Sequence, residues 1–533
     1  MSIVQVEQPV SLTGDLFVAG ERRQGSAGVV RGIAAATGAP LEPAFGLATR
    51  ADAADAAAAA ADAAPVLRAA PRATRSALLR AIADGLDARA EELVARAALE
   101  TGLPQPRLVG EVARTSGQLR LFAALVDSGL SEGVRIDPAQ PDRAPAPRPE
   151  LRQRRLPLGP VVVFGASNFP FAFSNAGSDV ASALAAGCPV IVKSHQAHPG
   201  VAELVSAVIA AAVRDLGLPA GTYQALLGSG REVGTALVED PRVRAVGFTG
   251  SRSGGLALME AARTRPVPIP VYAEMSSVNP VIVLPSAATA ERGRAFVDSL
   301  LLGAGQFCTN PGLVLVPVGE AGEAFVSAAA EAIRGRDGQV MLTDGIRDAY
   351  VAGRDALAGR AVRVAEGSEG ERAPAASLME ASAAELLTEP ALADEVFGAS
   401  GLVLRYGDAD GLLRALQALE GQLTATVHID LATAPDAERA LGAQLIEALE
   451  ELAGRIVVNG WPTGVEVGHA IVHGGPFPAT SDGRSTSVGT LAIERFQRAV
   501  AYQDVPESLL PEALRDVAVA AVPRLVDGAV VLP

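Results

Sequence analysis

Between residues 160 and 250 the chain alternates short apolar, β-branched runs with stretches of small helix-forming residues, and this alternation constrains the fold more than any other feature. "PVVVFGASNFP" and "GCPVIVKSH" are such runs, each ended by Gly, Ser, Asn or Pro, and "FSNAGSDVASALAAG" between them reads as a helix. Two more units follow: a helix expected over 202–216 with a strand over 223–227, then a helix over 231–238 with a strand in "RAVGFTG". Continuously apolar strands separated by helices belong to a parallel sheet covered on both faces. An α/β, doubly wound region is therefore expected here. The same alternation resumes over 275–454 and predicts a second α/β domain.

Upstream, residues 51–125 read as helical. "ADAADAAAAAADAAPVLRAA" is nearly all Ala, the best helix former, with an interruption expected at Pro65. The next stretch places Leu78, Leu79, Ile82 and Leu86 on one face and is stopped by Gly102 and Pro104. Residues 138–149 carry too many prolines for a helix or central strand and read as an extended connector. Residues 455–486 are rich in Gly and turn formers and read as a loop at a site. No repeat of solenoid length is present.

The composition excludes several classes of function. With 533 residues, 49% of them hydrophobic, the chain can bury more than one core. No apolar run reaches the roughly 18–20 residues of a membrane span, and the first 20 residues lack the basic-then-apolar pattern of a leader. Two cysteines make no disulfide framework, so a cytoplasmic location is expected. A net charge of −15 argues against nucleic acid as a partner.

Several residues stand where chemistry is done. Lys193 is the only lysine, every other cationic side chain being Arg, and it sits at the end of a strand where a flexible ammonium reaches ribose or phosphate. Asn168 ends the preceding strand; it either closes an Asx turn or donates to an oxyanion. Gly250 and Ser251 open a helix, as an ordinary N-cap or as a phosphate seat. Glu274 lies between two apolar runs, where burial is expected to raise its pKa and suit it to act as a base, unless it is salt-bridged. Cys188 opens a buried strand and reads as a core hydrophobe. Cys308, in "LLGAGQFCTNPG", has polar neighbours and two preceding glycines, and is either filler or a nucleophile.

In chain order these motifs run strand-Asn-Phe-Pro, strand-Lys, Phe-Thr-Gly-Ser, Glu, Gly-Gln-x-Cys and Glu-x-Phe-Gly. The pattern resembles the aldehyde dehydrogenase superfamily along nearly the whole chain. "AEMSSVNP", "GQFCTNPG" and "HGGPFPATSDGRSTSVGT" are similar to its α-ketoglutaric semialdehyde (2,5-dioxopentanoate) dehydrogenase branch. The resemblance implies a Rossmann-type cofactor domain (1–137 and 158–274), an α/β catalytic domain (275–454), an active-site loop segment (455–486) and a small oligomerisation β-extension (138–157 and 487–533). It implies a homodimer or homotetramer.

The same resemblance implies that Cys308 attacks an aldehyde to give a thiohemiacetal, while the Asn168 amide and the Cys308 N–H hold the oxyanion. Glu274 then activates the water that hydrolyses the resulting thioester. Lys193 and Ser194 fall at the adenosine ribose, Gly250 and Ser251 at the pyrophosphate, and Glu395 and Phe397 at the nicotinamide ribose. Gln196 replaces the acidic residue of NAD-preferring relatives and Arg231 matches a phosphate-binding arginine, so NADP is the expected cofactor, with NAD possible. Phe173, His469 and His473 fall along the substrate tunnel, where the two histidines contact substrate, polarise the site or bond only within their loop. No metal is expected. Fatty aldehyde dehydrogenase activity, transfer to coenzyme A and a silent structural role are the alternatives, and the presence of Glu274 counts against the last two.

Overall fold

The computed structural model describes residues 12–533; the expectation about a leader falls partly on residues 1–11, which lie outside them. Two seven-stranded sheets and a five-stranded extension carry the architecture. In the first sheet five parallel strands run in the order Val271–Glu274, Ala245–Thr249, Val161–Phe164, Val190–Ser194 and Tyr223–Leu227. Two short antiparallel strands, Leu16–Val18 and Glu21–Arg23, extend it beyond Tyr223–Leu227.

Chain order reverses between Val161–Phe164 and Ala245–Thr249. The strand after Val161–Phe164 is laid on one side of it and Ala245–Thr249 on the other, which opens a ligand crevice at the carboxyl ends. The register aligns those ends: Thr249 pairs with Glu274, Phe248 with Phe164, and Phe164 with Lys193. Val161, Val162, Val190, Ile191 and Val192 are fully buried, as strands covered on both faces require.

The second sheet runs Val362–Glu366, Ser377–Ser382, Ser400–Tyr406, Leu313–Pro317, Val281–Val283, Gln422–His428 and Ala453–Val458, parallel except for the first pair. The extension orders Gln497–Gln503, Leu151–Pro157, Val134–Asp137, Arg524–Val526 and Ala529–Val531. Val134–Asp137 pairs with Leu151–Pro157, so this strand stands with the extension although its sequence falls just before the expected boundary at 137. Over 138–149 only the isolated bridge Gln140–Arg148 interrupts an irregular path.

The Ala-rich segment is one helix, Arg50–Ala69, and Pro65 does not interrupt it. Its buried face, Ala53, Ala56, Ala57, Ala60, Ala63 and Leu67, lies on both sides of the proline and holds the helix together through the missing N–H. The helix is approached closely at Gly221, where a Cβ would have no room against the Ala59 carbonyl. The stretch ended by Gly102 is two helices, Arg72–Ala88 and Ala90–Thr101, parted at Arg89, whose φ of −116° leaves the helical region. Leu78, Leu79, Ile82 and Leu86 are buried on the first of these.

The loop before Leu313–Pro317 turns through three consecutive left-handed residues, Gly303, Ala304 and Gly305, with φ of 59°, 59° and 70°. Ala304 tolerates this because its N–H is held by Gln339 Oε1 at 2.9 Å. At Gly305 a Cβ would overlap the Gly398 carbonyl. Gly305→Ala should therefore cost more than about 2 kcal/mol, from the left-handed backbone and the clash together. A thermal unfolding midpoint unchanged from wild type would contradict this.

Candidate active site

The left-handed turn delivers Cys308 to the space between the two sheets, half-buried. Its carbonyl accepts from Asn279 Nδ2 at 2.8 Å, and the same amide donates to the Asn310 carbonyl at 2.9 Å. Asn279 is fully buried with φ +49°, and its N–H and that of Val278 both donate to Gln422 Oε1, at 3.0 and 2.9 Å. This clamp fixes the cysteine loop to the Gln422–His428 strand. The Cys308 N–H has no acceptor among the described residues.

Opposite the thiol stands the end of the Val271–Glu274 strand. Glu274 Oε1 accepts from His473 Nε2 at 2.9 Å and Oε2 from Ser487 Oγ at 2.9 Å. His473 Nε2 also lies 3.4 Å from Cys308 Sγ, and one donor atom from each of the three residues falls within 4.8 Å of the others. Glu274 and His473 are buried, at 3% and 1% exposure, so water relieves neither polar group.

Burial pushes the Glu274 carboxyl up, but the His473 charge and hydrogen bonds from His473, Cys308 and Ser487 outweigh it, and the net shift is downward. The expectation of a raised Glu274 pKa is thus corrected: the sequence shows the apolar strands around it but not the donors, which come from 199 and 213 residues away. Cys308 moves the other way. Burial, the Glu274 charge and its hydrogen bond, and the Glu395 charge hold the thiol well above its ordinary range, against a small opposing pull from Arg114.

Asn168 is buried on the turn after Val161–Phe164, and its Nδ2 donates to the Gln306 carbonyl at 3.0 Å, beside the cysteine loop. The turn is held by Glu111, whose Oε1 accepts from the N–H groups of Phe171 and Ala172. Phe173 lies 6.0 Å from the His473 ring and joins Phe169, Phe307, Val465 and Val488 in an apolar wall. His473 is brought into the site, whereas His469 is exposed and meets Thr490 Oγ1 at 3.3 Å within its loop.

Along the carboxyl edge of the first sheet lie Gly250 and Ser251, Lys193, Gln196 and Arg231, in that spatial order. Ser251 caps the Arg252–Arg263 helix by accepting from the Gly254 N–H. Lys193 is half-buried, and burial alone lowers its ammonium to about 8. Gln196 donates to the Gly228 carbonyl, next to the π-helical turn Gly230–Gly234 that exposes Arg231. A cationic, capped edge of this kind fits a dinucleotide. Glu395 and Phe397 line a cleft with Ser277, Phe307 and Asn310, with Glu395 exposed at its rim.

The Ser194 hydroxyl is buried and accepts from Asn175 Nδ2 at 2.9 Å in a network with Ser206 and Tyr223. Reading the sequence singled out neither Asn279, Gln422 and Ser487, which hold Cys308 and Glu274, nor Glu111. Asn279 lay within a quoted motif, but its work depends on a glutamine 143 residues away.

Residues 30–340 match the aldehyde dehydrogenase family model, and the chain belongs to that family. It is an NAD(P)+-dependent aldehyde dehydrogenase with a Rossmann-like cofactor region and an α/β catalytic domain. It is 53% identical over 528 residues to alpha-ketoglutaric semialdehyde dehydrogenase 2 of Azospirillum brasilense, covering 97% of this chain and 99% of that protein. It is 44% identical to alpha-ketoglutaric semialdehyde dehydrogenase of Acinetobacter baylyi, covering 97% and 98%. The fold is shared with the aldehyde dehydrogenase KauB of Pseudomonas aeruginosa, at a TM-score of 0.77 and 23% identity over 93% of this chain and 97% of that one.

The electrostatics give a direct test. Iodoacetamide should label one thiol per native chain, at Cys308, because Cys188 is buried and its thiol is pushed up to about 11. Labelling should accelerate with rising pH as the Cys308 thiol ionises. Glu274→Gln removes a like charge and a hydrogen bond that favours the protonated thiol, so the profile should move to lower pH. A profile that stays put or moves upward would contradict the assignment.

Proposed function

We propose that this enzyme oxidises α-ketoglutaric semialdehyde to 2-oxoglutarate, with Cys308 as nucleophile and Glu274 as the base of hydrolysis. The observation that carries the reading is the set of half-buried Cys308 with buried Glu274 and His473, within 4.8 Å of one another beside the unbonded Cys308 N–H. The identity to two dehydrogenases named for that semialdehyde supports the substrate.

Cys308 rests as a thiol, and the Glu274 carboxylate is the neighbouring acceptor for its proton. The thiolate adds to the aldehyde, and the oxyanion is met by the Cys308 N–H and the Asn168 amide. Bound NAD(P)+ supplies the hydride acceptor. Glu274, ionised through its contacts with His473 and Ser487, then takes a proton from the water that opens the thioester, and the acid leaves. His473 orients that carboxylate from one side and Ser487 from the other.

Lys193 and the Ser251 helix end hold the adenosine ribose and the pyrophosphate, and Glu395 with Phe397 the nicotinamide ribose. NADP is preferred over NAD, because Gln196 puts no carboxylate near a 2′-phosphate and exposed Arg231 lies close by. The chain acts as a homodimer or homotetramer through the Gln497–Gln503 edge of the extension, and its eluted mass should be two or four times 54.2 kDa.

The wall of Phe169, Phe173, Phe307, Val465 and Val488 favours one second reading, an uncharged medium-chain aldehyde. A kcat/KM panel of α-ketoglutaric semialdehyde, hexanal and benzaldehyde with both cofactors separates the two, and preference for the uncharged aldehydes overturns the first. Cys308→Ala should abolish NADPH formation. Asn168→Ala should lower kcat by about 100-fold or more. Gln196→Glu should reverse the cofactor preference toward NAD.

A further inference from the structure

Three arginines stand around the apolar wall beside Cys308, and they are differently engaged. Arg455 spends Nε, Nη1 and Nη2 on Thr424 Oγ1 and the carbonyls of Gly464 and Pro462. Arg107 gives Nη2 to the Asn168 carbonyl and leaves Nη1 buried without a partner, but it is stacked on two rings, Phe169 and Phe307, at 5.1 and 4.6 Å. Both act as struts of the site.

Arg114 differs. It projects from the Gln105–Ser128 helix one turn beyond Glu111, with its guanidinium 5.8 Å from the Phe173 ring centroid. Only Nη1 is bonded, to the Val465 carbonyl. Nε is buried without a partner, and neither Nε nor Nη2 donates to any group among the described residues. A half-buried guanidinium with one open edge and, among the described residues, no carboxylate at ion-pair distance is costly unless an anion arrives. The anchor at Val465 and the Phe173 face fix its plane in advance, which suits two-pronged recognition of a carboxylate.

Its place fits a short substrate. Phe173 neighbours both Arg114 and His473, at 5.8 and 6.0 Å, and His473 Nε2 is 3.4 Å from Cys308 Sγ. The Arg114 charge is felt at Cys308, whose thiol it pulls downward, and it is felt in turn by Glu274. In a five-carbon ω-aldehyde acid the carboxylate lies about 5 Å from the aldehyde carbon when extended.

We propose that Arg114 is the specificity-determining residue that receives the substrate carboxylate, so that the site selects short anionic aldehydes. This rests on the semialdehyde reading above and assigns the residue that carries it. The test compares kcat/KM for α-ketoglutaric semialdehyde, 5-oxopentanoate and pentanal in wild type, Arg114→Gln and Arg114→Lys. The last two substrates differ only in the carboxylate.

In Arg114→Gln the preference for 5-oxopentanoate over pentanal should fall by about 30-fold or more, mostly through KM, because a charged hydrogen bond is lost from substrate binding. Arg114→Lys keeps the charge without the fork and should fall between. An equal loss for all three aldehydes would mean a merely structural role and overturn the proposal. So would an unchanged preference in both variants, which leaves the semialdehyde reading standing. A wild type that already prefers pentanal overturns both.

Discussion

The end of the Val271–Glu274 strand is where the parts of this molecule are tied together. The Glu274 carbonyl accepts from the Gly250 N–H, the Met275 N–H donates to the Ala479 carbonyl, and Ala273 exchanges bonds with Ser481. The carboxylate of the same residue takes hydrogen bonds from His473 and Ser487. A buried ionised carboxylate costs several kcal/mol unless donors surround it. Solvating this one therefore fixes the 455–486 segment against the first sheet, and with it the wall facing Cys308.

The same carboxylate sets the chemistry of the thiol. Glu274 is held ionised, and its charge holds Cys308 protonated. Two anions this close in a low dielectric repel strongly, so thiolate and carboxylate are alternatives rather than companions. That separation matches a reaction in two stages, one needing a nucleophilic sulfur and the other a base for water. Arg114, beside Phe173, is the opposing charge in this balance.

Much of the frame was legible because it is written in local pattern. The strand at 223–227 and the core face of Leu78, Leu79, Ile82 and Leu86 follow from apolar periodicity and turn residues. Pro65 and Arg89 misled because packing overrides a local breaker and can split a continuous apolar stripe. The two histidines of "HAIVHGGPFP" looked equivalent, yet one is buried against Glu274 and the other bonds Thr490 in solvent. Ser194 sits one residue from Lys193, and the pleat turns it to the opposite face, into the Asn175 network.

By itself the sequence determined the doubly wound alternation, the glycines before Cys308 and the kinds of group available to the site. Each of these depends on residues within a few positions of one another. Only the tertiary structure decided which groups meet: His473 and Ser487 at Glu274, Asn279 and Gln422 behind Cys308, and the open edge of Arg114 beside Phe173. The sign of a pKa shift and the freedom of a guanidinium depend on neighbours up to two hundred residues away. Burial is shared among them, and no local pattern records it.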